Sequence, residues 1–185
     1  MVQQSVSNEV GVKTYEQTYN YAVNKSIETM VKYLNQRGLD VSKLADQREL
    51  LERGIYAWMA GRHIKKIKIE VFNQKSGQLI ERFDIGFEVQ DPEDVGGQTE
   101  EKMQNKDFDY YWSEVQQALA DYDAPPEGAD YRFLVSVGPN SDGQEPPDIE
   151  GWGTATPKDY SHLDQQEYGD LIDTGNISGT FEFWR

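Results

Sequence analysis

The chain has 185 residues, a length suited to one domain with a core that buries roughly 70% of the unfolded surface. It carries 18 basic against 33 acidic residues, a net charge of −15, which disfavours direct binding to phosphate backbones. It has no cysteine, which excludes disulfides, thiolate metal sites and cysteine nucleophiles.

The N-terminus has neither the basic nor the apolar region of a signal peptide, and no apolar run reaches membrane-spanning length. The expected setting is therefore cytoplasmic and reducing, with no membrane partner. Residues 1–13 are polar with scattered small apolar groups and are expected to form a flexible arm. Tyr19, Ala22, Val23, Ile27, Met30, Val31 and Leu34 then recur at steps of three and four, which predicts a helix of about five turns ending at Gly38. A second helix is expected to open at a capping box of Asp46 and Glu49, to bury Leu50, Leu51, Ile55, Trp58 and Met59, and to stop at Gly61.

From there the period changes to two. Ile67, Ile69 and Val71 alternate with Lys66, Lys68 and Glu70, and Phe83, Ile85, Phe87 and Val89 with Arg82, Asp84, Gly86 and Glu88. With the turn "NQKSGQ" between them, residues 63–89 predict an antiparallel hairpin with one face on a core. Asp84 and Glu88 alternate with that face and are expected to be solvated. The acidic stretch 90–106 reads as a mobile loop. A third helix follows on Phe108, Tyr111, Trp112, Val115 and Leu119. "YRFLVSV" then places Tyr131, Phe133, Val135 and Val137 on one side of a third strand. Residues 138–172 show no strong period. Ile177, Phe181 and Phe183 alternate with Ser178, Thr180, Glu182 and Trp184 in a terminal strand. The order predicts an α+β domain, three helices packed on a small antiparallel sheet.

No motif of catalysis, nucleotide binding or metal binding is present. The two histidines are far apart, and there is no HExxH and no P-loop. Neither enzymatic turnover, a cofactor nor a metal is expected. Attention falls instead on "DIEGWGTATPKDY", where Trp152 sits between Gly151 and Gly153 inside an irregular tail. Runs of this length without regular structure are commonly functional flaps. The strand at 131–137 has no hairpin partner after it, so its edge is open to an added strand. Trp152 would anchor the tail as a strap over that edge, with both glycines allowing sharp turns; equally, it would be a lid on the core and no more.

Residues 15 to 185 resemble the HORMA domain, most of all the bacterial HORMA proteins of CBASS antiphage operons. The marks are "YNYAVNKSIETMVKYL", "IKKIKIEVFNQKSGQLIERFDI", "PDIEGW" and the terminal "FWR", taken in that order. The resemblance implies a single HORMA domain over 14–185 with a C-terminal safety belt over about 140–185. It implies that the belt wraps a closure-motif peptide against the sheet edge, here Tyr131, Phe133, Leu134, Val135, Ser136 and Val137. The belt residues would include Asp148, Gly151, Trp152, Gly153, Ile177, Phe181, Phe183 and Trp184. It further implies that the closed form binds and activates a cGAS/DncV-like nucleotidyltransferase. An AAA+ ATPase would reopen it through the N-terminal arm, at Val2, Ser5 and Val10. The competing reading from charge alone is an acidic inhibitor that mimics nucleic acid, or another non-enzymatic interaction domain.

Overall fold

The computed structural model describes the backbone of residues 2–90, 108–173 and 176–185, and of these the side chains outside 2–17, 108–111 and 170–173. The elements are α1 (Val2–Gln36), α2 (Ser42–Ala60), β1 (Ile64–Asn73), β2 (Leu79–Val89), α3 (Phe108–Ala120), β3 (Ala129–Val137), β4 (Gln165–Asp173) and β5 (Ile177–Trp184). From residue 91, the expected loop 90–106 lies outside the described residues.

The apolar stripe of α1 is buried as its spacing predicts: Tyr19, Ala22, Val23, Ile27, Met30 and Leu34 are all in the core. The helix ends in a left-handed Gly38, φ 68°, with the Leu39 amide donating to the Leu34 carbonyl at 2.9 Å. Its start differs from expectation. Residues 2–13, Val2, Ser5 and Val10 among them, are helical and continuous with the rest of α1. Extending an existing helix adds one bond per residue without a new nucleus, and no proline interrupts this stretch. The α2 helix also begins earlier than the Asp46–Glu49 box, at Ser42; both those acids are exposed within the helix. Asp40 accepts from the Ser42 amide at 2.9 Å and from its hydroxyl at 2.8 Å.

All strand pairs are antiparallel, in the sheet order β3-β1-β2-β5-β4. Ile67, Ile69 and Val71 on β1, Phe83 and Ile85 on β2 and Phe181 and Phe183 on β5 join the helices in one core. The β4 strand lies inside the stretch expected to be irregular. Its sequence is mostly polar, so what orders it is main-chain pairing to β5, which leaves no alternating pattern to read.

The sheet's other face is charged, with Lys68 opposite Asp84 and Glu70 opposite Arg82. Asp84 is fully buried, contrary to the expectation that it is solvated; Glu88 is exposed as expected. Arg82 Nη2 donates to Asp84 Oδ2 at 2.9 Å, and Nε stands 2.9 Å from Oδ1. Burial pushes the Asp84 carboxyl above its ordinary range, against the pull of Arg82, Lys66 and Lys68.

Candidate functional site

The β3 strand lies at the sheet margin and, among the described residues, pairs only with β1. Tyr131 is buried, Phe133, Leu134, Val135 and Ser136 are half-buried, and Val137 is 36% exposed. A margin this apolar, with no second strand beside it among the described residues, is the geometry to which an extended segment adds. One end of β3 is fastened: the Tyr131 hydroxyl donates to the Asp40 carbonyl, and Lys43 Nζ donates to Tyr131 O at 2.9 Å.

The chain beyond β3 loops outside that margin and comes back to it. Its root is tied to the corner between α2 and β1. The Gly138 amide donates to His63 O at 2.9 Å, Asn140 Nδ2 donates to Gly61 O at 3.2 Å, and Arg62 Nη2 pairs with Asp142 at 2.6 Å. The segment then descends α2. Trp58 Nε1 donates to Pro147 O at 3.0 Å, and Arg53 Nη2 donates to Glu150 O at 2.8 Å.

Trp152 comes next. Its Nε1 donates to Leu50 O at 3.2 Å and its ring meets Trp58 edge-on, centroids 4.9 Å apart. It is half-buried and packs against the core. Gly54 makes the seat: a Cβ there would stand 2.4 Å from Trp152 Nε1. Gly151 has φ 89°, the turn that glycine permits. Gly153 has no such angle, and a Cβ on it would meet nothing within 4 Å, so only one of the two flanking glycines is required by the turn. Asp148 is exposed and forms no ion pair among the described residues.

Past Trp152 the strap crosses to the charged face. Arg132, on β3, closes the circuit: its Nη2 donates to Thr156 O at 2.6 Å and its Nε to Glu70 Oε2 at 2.7 Å. The other oxygen of Glu70 accepts from the Lys158 amide at 2.9 Å. Lys158 Nζ reaches Gly77 O at 2.8 Å. The Arg82 guanidinium then lies against both Tyr160 and Trp184, 4.1 and 4.6 Å from their ring centroids, and the two rings meet edge-on at 5.2 Å. The strap ends in β4, whose partner β5 is an inner strand beside β2.

The C-terminus is locked in place. Ile177, Phe181 and Phe183 are buried in the core, and Trp184 faces the strap. Arg185 Nη1 lies 3.6 Å from Glu81 Oε2. Glu81 is fully buried and accepts from Arg37 Nε at 2.8 Å, Arg37 Nη2 at 2.9 Å and the Tyr33 hydroxyl at 2.7 Å. Burial first, then the Glu81 charge, pushes the Tyr33 phenol well above its usual range. Arg37 also donates to the Leu119, Tyr122 and Asp123 carbonyls, joining α1, β2 and the end of α3.

The family model described as Bacterial HORMA domain 2 matches residues 7–185. The chain belongs to the bacterial HORMA domain 2 family. Its fold is similar to a chain of the mitotic checkpoint complex, at 16% identity over 93% of this chain and 96% of that one, TM-score 0.65. It is similar to HTP-2 bound to HTP-3 motif-6, at 13% identity over 90% and 86%, TM-score 0.57. It is likewise similar to C. elegans HTP-2 bound to the HIM-3 closure motif, at 14% identity over 90% and 86%, TM-score 0.54. No curated protein matches the sequence.

Within this HORMA domain Phe133, Leu134 and Val135 lie on the marginal strand β3, the strap root follows it directly, and Trp152 is seated on α2. Ile177, Phe181 and Phe183 belong to an inner strand three places away from that margin, with β1 and β2 between. Val2, Ser5 and Val10 lie on α1, whose side chains there are outside the described residues. Sequence reading missed Gly54, Glu70, Arg132 and Arg185. A glycine in the middle of an otherwise good helix was the one available signal; the other three look like ordinary surface charges until the strap is in place.

Proposed function

We propose that this HORMA domain is a peptide-capturing signalling adaptor whose closed form is the arrangement described above. An extended closure-motif segment adds to β3 as a new edge strand, inside the loop formed by residues 138–156. Main-chain bonds hold it, and the strap keeps it from leaving sideways. The observation that carries this reading is the Arg132–Thr156 bond: the strap that leaves one end of β3 returns to a side chain of the same strand, so a guest on its edge is encircled. Similarly folded chains have been captured with such segments, HTP-2 with HTP-3 motif-6 and with the HIM-3 closure motif.

In its peptide-bound state the domain associates with and activates a cGAS/DncV-like nucleotidyltransferase of a CBASS antiphage operon, itself contributing no chemistry. Among the described residues there is no group of three acids and histidines that could hold a metal. Opening requires work. Withdrawing β5 would expose Ile177, Phe181 and Phe183, each costing roughly 1.5–3 kcal/mol of lost burial. An AAA+ ATPase pulling on residues 2–13 supplies that work; this part rests on the family likeness.

The test is a selection of displayed random peptides on the full chain, followed by a pull-down of the purified nucleotidyltransferase with and without the selected peptide. Peptide capture and peptide-dependent association are expected. Failure to retain any extended peptide refutes the reading.

A further inference from the structure

We propose that the guest of the β3 edge is a basic segment, with large apolar side chains at every second position and lysine or arginine flanking them. This deepens the peptide-capture reading and rests on it.

The apolar half follows from the edge itself. Phe133 and Val135 share the helix side of β3 and Leu134 takes the other; all three are only half-buried, and Val137 is open. An added strand sets its own side chains alternately beside these two rows, about 4.5–5.5 Å away. Apolar residues of period two complete the partial burial of Phe133 and Val135.

The charge follows from what encloses the guest. Residues 138–164 carry Asp142, Glu145, Asp148, Glu150, Asp159 and Asp164 against a single Lys158. Four of the cations near this segment are engaged in holding it. Lys158 donates to Gly77 O, Arg132 to Glu70 and Thr156, Arg53 to Glu150 O, and Arg62 to Asp142. Lys65, beside Gly138, stands at the strap's root. Glu145, Asp148 and Glu150 are exposed and have no ion-pair partner among the described residues. A guest inside the loop lies within about one Debye length, roughly 8 Å at physiological salt, of part of this set. An acidic strand would meet like charge there, and a net charge of −15 would repel its approach; a basic strand gains on both counts.

The experiment selects from an unbiased random dodecapeptide library on the full chain, then measures binding of the most enriched peptide by fluorescence anisotropy. Lysine and arginine are expected to be enriched around alternating apolar positions. Replacing those cations by glutamine should weaken binding about tenfold at about 50 mM salt and much less at about 500 mM. The triple variant Glu145→Gln, Asp148→Asn, Glu150→Gln, all at exposed positions, should lose affinity for the parent peptide to a similar extent with an unchanged melting curve. Enrichment of neutral or acidic peptides, or binding indifferent to salt and to the triple variant, overturns the inference and leaves peptide capture standing. A library yielding no binder overturns both.

Discussion

Gly54 and Trp152 occupy one another's space: the indole nitrogen sits where a side chain at residue 54 would begin, 2.4 Å from an ideal Cβ. A glycine in mid-helix costs about 1 kcal/mol relative to alanine, so α2 gives up intrinsic helical stability to hold the strap.

Gly54→Ala therefore separates strap from fold. The variant should melt close to the wild-type temperature, since the roughly 1 kcal/mol gained by the helix offsets much of what the displaced Trp152 loses in packing. Its strap should be cut faster by protease between residues 140 and 164, and captured peptide should leave sooner. Identical digestion of the two proteins would show that Trp152 is not what fixes the strap.

Arg132→Ala tests the return contact. It removes the donor to Thr156 and leaves the buried Glu70 carboxylate with the Lys158 amide alone. Leaving a buried charge short of a partner costs about 3–5 kcal/mol. Dissociation of a preloaded peptide, followed after a chase with unlabelled competitor, should accelerate by at least tenfold, by about 1.4 kcal/mol or more of lost closure. An unchanged off-rate would place closure elsewhere.

Arg37→Met probes the lock beneath the C-terminus. The Arg37 and Glu81 side chains are 2% and 0% exposed, and the variant strands the carboxylate with Tyr33 and Arg185. A loss of about 3–5 kcal/mol lowers the melting temperature of a chain this size by about 10 °C. Calorimetry decides it; a shift of under about 2 °C would mean that water or Arg185 replaces the guanidinium.

Asp84 gives a pH dependence of definite sign. Its carboxyl titrates above the ordinary 3.8 because it is buried. Between the unfolded and the raised folded value, the folded chain holds a proton that the unfolded chain has released. The contribution of Asp84 to stability is thus greatest at low pH and declines as pH rises through that window. Asp84→Asn cannot titrate, so its stability relative to wild type should climb from about pH 4 upward, and level off once wild-type Asp84 is ionised in the folded state. Urea midpoints at stepped pH measure this; parallel curves would mean that Asp84 is ionised throughout.

Much of this molecule is written in local pattern. The stripe from Tyr19 to Leu34, the alternation on either side of "NQKSGQ" and the terminal Ile177–Phe181–Phe183 row determine the helices, the hairpin and the inner strand. They do so because burial of one face imposes a period of 3.6 or 2 on the chain itself. The order of these elements and the tail marks also sufficed to point to the HORMA family and to the open edge at Tyr131–Val137. The tertiary structure alone decided what closes over that edge. The β4 strand is ordered by its partner's main chain, Gly54 is required by an indole nearly a hundred residues away, Glu70 and Arg132 are bound to the returning strap, and Asp84 is buried among the cations of the sheet. Interactions between distant segments leave no periodicity in either one, and a buried carboxylate is spelled with the same letter as a solvated one.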